Sequence, residues 1–317
     1  MPRLTPGDMH VDQLLTNVSI AYKNDSYIAD EIFPILPVMK QSGIVPKYDQ
    51  SHWFRDLAEK RAGGKSPRGG FSVDKSDSYL SERYWFGFEI DDETRDNSDA
   101  PFDLDRDATE FATDKVMMKR EVAFATDFMT TGVWGTDKTG GTDFTRWSDY
   151  GASSPLSDLT DFGDTVEGKI AREPKKLVLG KLVYSKLKWH PDVIDLIKYT
   201  QRGQITPDLL AALLEMDKLL IGRAIKTTTA EGTAEASVAY SRIWGKKALL
   251  VYVPKSPSLL TPAAGYTFVW QRVASAIQYI KRMRDEEREV DIIEANTYFD
   301  QKITGSNGGL FIDTAID

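Results

Sequence analysis

The sequence predicts an α+β fold, and three regions of the chain carry that prediction. One long amphipathic helix is predicted over residues 101–129. Short helices and short apolar strands follow one another over 173–270, and strand candidates dominate 271–317. Because the long helix and the strand-rich tail are separated along the chain, the pattern differs from a regular alternation of strands and helices and is typical of α+β proteins.

Composition narrows the function classes before any motif is considered. The 317 residues carry a net charge of −8, which argues against a uniformly basic nucleic-acid binder. There is no cysteine, which excludes disulfides, thiolate catalysis and cysteine-ligated zinc and fits a reducing compartment. The first residues lack the apolar segment of a signal peptide, and no apolar run is long enough for a membrane span. We therefore expect a soluble cytoplasmic protein with no membrane contact.

Residues 1–48 are predicted to form an N-terminal arm. Prolines interrupt this segment, yet it also holds apolar pairs such as Ile32-Phe33 and Ile35-Leu36. Disordered tails are normally poor in apolar residues. We therefore expect the arm to pack on the body of its own subunit or on a neighbouring subunit.

Residues 49–96 are predicted to form an extended loop. Its first part is polar, charged and rich in glycine, and an aromatic strand candidate, Tyr84–Ile90, follows. An acidic run leads from that strand to the next helix. The segment therefore resembles a hairpin-like excursion with a glycine-rich tip.

Residues 97–172 are dominated by the long helix. Ser98, Asp99 and Pro101 supply start signals, and Gly132 ends the run. A helix of roughly 29 residues spans about 43 Å, which suits a spine rather than a compact core. An apolar stripe recurs every three or four residues, with Lys115 its one polar member. The stripe consists of Leu104, Ala108, Phe111, Met118, Val122, Ala125 and Met129.

Strand and helix candidates in the remainder of the chain form two further segments, 173–270 and 271–317. Apolar runs predict buried strands. These are 177–179, 219–222, 248–253 and 266–270, with tail strands near 277–280, 288–293, 297–303 and 310–312. Helices are predicted at 156–172, 184–189, 192–199 and 209–216.

The tripeptide Gly64-Lys65-Ser66 imitates the end of a nucleotide-binding P-loop. The full pattern requires glycine at position 59, where this chain has Glu59, whose charge repels phosphate. The segment before it is no buried strand, and Pro67 does not continue a helix. We therefore interpret the segment as a flexible basic loop tip that contacts a neighbouring subunit. The predicted contact residues are Lys60, Arg61, Gly63, Gly64, Lys65, Arg68, Gly69 and Gly70.

Acidic residues at 91–107 offer a metal site as an alternative. Asp103, Asp105 and Asp107 imitate a calcium loop, but its sixth position is Ala108 instead of glycine. Acids at the start of a helix also stabilise its positive end. A carboxylate-metal hydrolase at 91–107 is the enzyme hypothesis, with Asp105 and Asp107 as its test residues.

The three histidines are far apart in sequence, at positions 10, 52 and 190, and no metal-binding H-x-x-x-H spacing occurs. Sequence order alone permits a Ser–His–Asp triad around His190. No serine lies in a G-x-S-x-G elbow, however. We therefore predict a protein that is not an enzyme and that has no cofactor, no metal site and no catalytic residues.

The order and spacing of several segments resemble the major capsid proteins of tailed phages with the Hong Kong 97-type fold. The resemblance covers most of the chain, from the arm through the spine-like helix to the C-terminal strands. The segments with the most specific match are REPKKLVLG at 172–180, HPD at 190–192, LLIGRA at 219–224, WGKKALLVYVP at 244–254 and YTFVW at 266–270.

The resemblance implies an arm (1–48), an extended loop (49–96), a peripheral domain with the spine helix (97–172), an axial domain (173–270) and a return to the peripheral domain (271–317). It implies a homo-oligomer of pentamers and hexamers in an icosahedral phage head that encloses double-stranded DNA without sequence-specific binding. The implied partners are scaffold and portal proteins and decoration proteins. The location is the virion capsid after assembly in the host cytoplasm, and an encapsulin-type nanocompartment shell is the alternative.

Overall fold

The computed structural model describes most of the chain, with gaps at the N-terminus and in several loops. The described residues are 26–48, 54–56, 58, 68–70, 72–98, 103–197, 205–230, 232–254, 263–272 and 277–317. The helices are α1 (Ala29–Ile32), α2 (Asp92–Asp96), α3 (Leu104–Phe128), α4 (Pro155–Ile170), α5 (Lys181–Leu187), α6 (Pro191–Ile197) and α7 (Pro207–Leu213). Short 3₁₀ turns lie at Glu235–Ser237 and Ser306–Gly308.

The strands belong to two larger sheets and three two-stranded ribbons. In the first half of the chain they are β1 (Ile35–Val38), β2 (Ser42–Ile44), β3 (Lys47–Tyr48), β4 (Val73–Asp74), β5 (Ser78–Leu80), β6 (Glu82–Asp91) and β7 (Thr136–Thr139). In the second half they are β8 (Lys176–Gly180), β9 (Lys218–Gly222), β10 (Ile225–Thr227), β11 (Tyr240–Arg242), β12 (Ala248–Val251), β13 (Gly265–Trp270), β14 (Gln278–Asp285), β15 (Val290–Ile303) and β16 (Gly309–Asp313).

Sheet 1 has the strand order β7-β16-β12-β8-β9 and is covered on both faces. Side chains alternate across a strand, so Leu177 and Leu179 of β8 enter one apolar cluster and Val178 enters the other. Helices α4 to α7 cover the first face, and α1 with the end of α3 covers the second. Burial on both faces explains why these strands read as continuous apolar runs.

Sheet 2 has the order β1-β13-β15-β14, and β6 pairs with the other edge of β15. The 14-residue strand β15 is continuous, although the sequence predicted two separate strands there. Its middle carries Glu294 and Asn296, both buried. These polar side chains are tolerated inside the sheet because the Arg83 guanidinium donates to both of them.

The predicted spine helix is confirmed as α3, which has 25 residues and therefore spans about 37 Å. The Asp103 side chain accepts from the backbone N–H of Arg106 at 3.2 Å and caps its N-terminus. The predicted stripe is wrong in rotation, because Phe111 is exposed and Met118, Val122 and Ala125 are only half-buried. The buried face is instead Ala108, Thr109, Ala112, Thr113, Val116, Arg120, Glu121, Phe124 and Phe128.

Strands from different predicted segments pair in the same sheet. The boundaries of the five segments stay a prediction. Strand β13, at the end of the segment 173–270, pairs with β15 and β1 in sheet 2. Strands β7 and β16, from the segments 97–172 and 271–317, pair with each other at the edge of sheet 1. No helix among the described residues has the length and apolar character that a membrane span requires.

Candidate assembly interface

The N-terminal part of the extended loop leaves the body as a narrow ribbon. Among the described strands β2 pairs with β5 alone and β3 with β4 alone, so the two sides of the excursion bond to each other. The side chains of Lys47 and Asp77 form an ion pair across its base. The hairpin-like shape predicted for this region is therefore present, and it begins in the chain at β2.

The base of the ribbon is anchored to sheet 2. The Tyr79 ring stacks on Phe268 with centroids 4.6 Å apart, and the backbone N–H of Leu80 donates to Asp300 at 2.8 Å. A Cβ on Gly43 would come within 2.8 Å of the Tyr79 ring, so only glycine lets β2 lie this close. The ribbon therefore leaves from a fixed point.

The predicted contact residues at the loop tip fall in two groups. Lys60, Arg61, Gly63, Gly64 and Lys65 lie outside the described residues. Arg68, Gly69 and Gly70 are described and all three are exposed. A Cβ on Gly70 would meet no atom within 4 Å, so crowding inside the subunit does not require glycine there. The role of the tip in subunit contact stays a prediction.

A second exposed surface lies along β6, and we call Trp85, Phe86, Phe88 and Phe111 the aromatic edge. β6 pairs with β15 on one side, and no described strand pairs with its other side. Phe86 and Phe88 contact the Phe111 ring of the spine helix edge-on, with centroids 5.8 and 5.7 Å away. Trp85 points to the opposite face of the strand and lies under the Arg83 guanidinium at 4.9 Å.

The four rings of the aromatic edge are exposed to solvent in the isolated subunit. The exposed fraction is 58% for Trp85 and 44% for Phe111, and Phe86 and Phe88 also remain partly exposed. Phe86, Phe88 and Phe111 form one exposed group of rings, with Trp85 on the other face of the strand. Exposed apolar groups mark interaction sites in proteins, and an unpaired sheet edge adds free backbone donors and acceptors. The sequence predicted the strand at 84–90, but periodicity alone could not show that both of its faces keep exposed rings.

In the described part of the acidic segment 91–107, two carboxylates are ion-paired with arginines. Asp105 and Asp291 accept from the guanidinium groups of Arg95 and Arg282 at 2.7–3.2 Å. Arg284 pairs with Asp92 at 2.5 Å. The hydrogen bond from Arg282 is the main cause that lowers the pKa of Asp291.

Two further observations bear on the metal hypothesis. No cluster of three or more potential metal ligands occurs within the part of the chain that the structure describes. Asp105 and Asp107 lie in the first turn of α3, so they belong to a helix and not to a calcium-binding loop. The described geometry gives the metal hypothesis no support, because Arg95 and Arg282 pair with Asp105, one of its two test residues.

Ser153, His190 and Asp192 come together but point the wrong way for a catalytic triad. The backbone N–H of Asp192 donates to His190 Nδ1 at 3.2 Å, so the neutral ring carries its proton on Nε2. That N–H therefore donates to Ser153 Oγ, 3.0 Å away, and the Ser153 hydroxyl donates to the Asp149 carbonyl at 2.5 Å. A general base must accept the serine proton, and here His190 is the donor.

Burial supports a structural role for this group. Ser153 and His190 are both buried, and burial is the main cause that lowers the pKa of His190, with Asp192 opposing it. The neutral ring contacts Tyr150 edge-on at 5.5 Å. His190 thus joins α5 to α6 by hydrogen bonds, as the predicted helix-to-helix junction requires.

A buried carboxylate joins the arm, the spine helix and sheet 1, and no sequence signal pointed to it. Glu121 of α3 accepts from the backbone N–H groups of Ile28 and Ala29 at 3.0 and 2.8 Å and from the indole N–H of Trp244 at 2.5 Å. Its partners are 92 to 123 residues away along the chain. Burial outweighs these three donors and raises the pKa of Glu121 to about 7.

Arg120, the residue before Glu121, also holds the arm on the spine helix. Arg120 is buried and pairs with Asp30 of the arm helix at 2.7 Å, and it also donates to Thr297 of β15 at 3.2 Å. The described part of the arm is therefore held on its own subunit by two adjacent side chains of the spine helix. One half of the sequence-based expectation, an arm that packs on its own body, is confirmed for residues 28–33.

Comparison with known proteins gives related sequences and related folds. The chain is 25% identical over 307 residues to the major capsid protein of Burkholderia phage BcepMu, covering 95% of both chains. It is 30% identical over 248 residues to the major capsid protein of Pseudomonas phage JBD67, covering 76% of this chain and 77% of the relative. No family model matches the chain.

Solved structures agree with these relatives. A phage-related protein from Bordetella bronchiseptica superposes with a TM-score of 0.74 at 23% identity, over 97% of this chain and 98% of that one. A capsid protein of Cyanophage P-SCSP1u superposes with a TM-score of 0.61 at 9% identity, over 92% and 89% of the two chains. At these identities the likeness shows the fold alone.

Proposed function

The chain belongs to the tailed-phage major capsid proteins of the Hong Kong 97-type fold, and from this premise we propose that it assembles into pentamers and hexamers of an icosahedral head around double-stranded DNA. Its role as a structural capsid protein follows from the family. The number of copies in each ring, the enclosed DNA and assembly in the host cytoplasm belong to the proposal, as do scaffold, portal and decoration proteins as partners.

The aromatic edge is the observation that carries the assembly proposal. A folded subunit that leaves Trp85 and Phe111 this exposed, next to the side of β6 that no described strand pairs with, gains stability when a neighbour covers them. Together with the ribbon, whose base is anchored on sheet 2, it offers a neighbouring subunit two surfaces. The loop tip at 60–70 supplies positive charge for a contact with the acidic surface of a neighbouring copy.

A non-enzymatic role is part of the same proposal. Both curated relatives are capsid proteins, Asp92 and Asp105 are ion-paired with arginines, and in the Ser153–His190 pair the imidazole is the hydrogen-bond donor. The encapsulin alternative has less support, because both sequence relatives described above are phage capsid proteins.

Particle size tests the proposal. The purified full-length protein, expressed alone and with its scaffold, should form capsomers or closed particles in negative-stain images and in sedimentation. A species of 35.6 kDa, the mass of one chain, at every concentration and with the scaffold present contradicts it. Deletion of residues 61–70 should leave the circular-dichroism spectrum unchanged and weaken assembly, whereas an unfolded deletion variant contradicts the placement of the tip outside the core.

A further inference from the structure

Four cations gather at one edge of sheet 1, and we call Lys181, Lys188, Arg223 and Arg242 the basic cluster. β8 and β9 are parallel neighbours, and their last residues, Gly180 and Gly222, are paired in register. Lys181 directly follows β8 and Arg223 directly follows β9, so the two residues lie side by side where the strands end. The carboxyl edge of parallel strands is a common position for ligand sites in proteins with such sheets.

The other two cations reach the same edge from neighbouring elements. Arg242 of β11 is paired with Ile225 of β10, two residues beyond Arg223, and the N–H of Ile243 donates to the Ala224 carbonyl at 3.1 Å. Lys188 follows Lys181 by seven residues and so lies on the same side of the α5 turn.

Close packing fixes this arrangement. A Cβ on Gly222 would lie 2.2 Å from the ring of Trp244, so glycine is required where the returning chain crosses the end of β9. Trp244 is fully buried and is held by Glu121. The basic cluster is therefore held where α5, the end of β9 and β11 come together, next to closely packed backbone.

The cluster lacks counter-ions inside the subunit. Among the described residues, no carboxylate lies within ion-pair distance of any of the four side chains, whereas Arg95, Arg282 and Arg284 at the base of the loop all have acidic partners. Burial and then the positive charges of Arg223, Arg242 and Lys188 lower the pKa of Lys181. Like charges held together destabilise a fold, so an arrangement of this kind on a protein of net charge −8 points to an anionic ligand.

The chemistry of the four side chains favours phosphate over carboxylate ligands of a protein partner. Two guanidinium groups present planar forks that bind phosphate oxygens in pairs, and two ammonium groups add point charges. The Lys188 ammonium lies 5.8 Å from the ring of Trp189, which is 64% exposed and free to stack on a base. Basic side chains beside an exposed aromatic ring are the usual components of a nucleic-acid contact.

We propose that the basic cluster is a phosphate-binding surface whose ligand is the backbone of nucleic acid. The surface belongs to a single subunit, so the proposal goes beyond the shell function and does not depend on assembly. Phosphate could come from DNA or from a free polyphosphate, and the test therefore includes both. An acidic protein surface is the competing ligand class, and it is one of the outcomes.

The experiment measures how full-length protein binds a short fluorescein-labelled DNA duplex over a series of salt concentrations. Particle formation is scored on the same samples, so that failure of the shell function is seen separately. Arg223→Gln/Arg242→Gln should lower the affinity by about tenfold or more at low salt and reduce the slope of log K against log salt by about 1 to 2. Tripolyphosphate should displace the duplex from the unmodified protein, and loss of that displacement in the variant shows that both phosphate sources use this surface.

Matched variants keep the result interpretable. Lys40→Gln/Arg172→Gln removes the same charge from exposed positions, with Arg172 at the opposite edge of sheet 1, and should bind like the unmodified protein. Arg223→Lys/Arg242→Lys keeps the charge, so it should retain the salt slope with a severalfold lower affinity. Equal slopes for the two Gln double variants would overturn the proposal. Displacement of the duplex by an oligoglutamate peptide more readily than by tripolyphosphate would overturn it in favour of an acidic protein partner.

Discussion

The two larger sheets of this protein differ in how completely the subunit's own chain covers them. Sheet 1 is covered by helices on one face and by the arm and spine helix on the other. Its strands β8, β9, β12 and β16 are almost wholly buried, and the edge strand β7 is half-buried. Sheet 2 is packed on the spine helix, yet its strand β6 keeps an unpaired side and exposed aromatic rings. Under the proposed assembly, one part of the subunit is stabilised by its own chain and the other is covered by a neighbour.

The largest expected difference in stability is between alanine substitutions at two phenylalanines of the spine helix. Phe124 is fully buried between Phe33 and Trp244, so Phe124→Ala should lower the free energy of unfolding by about 3–5 kcal/mol. Phe111 is 44% exposed, so Phe111→Ala should cost about 1 kcal/mol or less and weaken assembly instead. Urea denaturation and particle yield measure the two effects, and equal losses of stability would break the comparison.

A smaller effect concerns the pH dependence of the joint at Glu121. Burial raises its pKa to about 7 in the folded protein, above the usual 4.5 of a glutamate, so the folded state binds the proton more tightly. The contribution of Glu121 to stability is therefore full below about pH 4.5 and is lost, by up to about 3 kcal/mol, as the pH rises through 7.

The variant Glu121→Gln isolates this effect. It cannot titrate, so the difference in unfolding free energy between it and the unmodified protein should depend on pH between about 5 and 8. Denaturation at a series of pH values measures the difference. A difference that does not change with pH would show that Glu121 keeps one protonation state and that the arm joint does not titrate.

The smallest effect is expected at Ser153. Ser153→Ala removes the oxygen that accepts from His190 and should cost about 1–2 kcal/mol of stability. Because burial holds the pKa of His190 below its usual 6.5, the stability that this residue contributes should be lost as the pH falls below 6.5. Hydrolysis of an activated ester should be at background in both proteins, and a loss of activity in the variant would contradict the structural assignment.

Sequence patterns predicted the buried apolar strands well. Continuous apolar runs predicted β8, β9, β12 and β13, because strands buried on both faces leave that signature. Order and spacing of these runs also supported the family resemblance. The hairpin-like excursion was predictable from its polar, glycine-rich composition, which cannot form a core.

The buried polar groups were beyond prediction, since their partners are remote in sequence. Glu121 and Arg120 lie on the inner face of the spine helix because Ile28, Trp244 and Asp30 satisfy them. The apolar stripe was therefore assigned to the wrong rotation of the helix. For the same reason the sequence predicts two strands where β15 is one. The polar residues Glu294 and Asn296 interrupt the apolar pattern, but both accept hydrogen bonds from Arg83 inside the continuous strand.

Hydrogen–deuterium exchange on free and assembled protein tests the difference between the two sheets most directly. The account predicts that backbone amides of β6 and of the ribbon strands β2 to β5 gain protection on assembly, because neighbours cover them. Amides of β8 and β12 should be equally protected in both states, since the subunit already buries them. Full protection of β6 in the free subunit, or a gain confined to sheet 1, would contradict the claim that sheet 2 is the part completed by a neighbour.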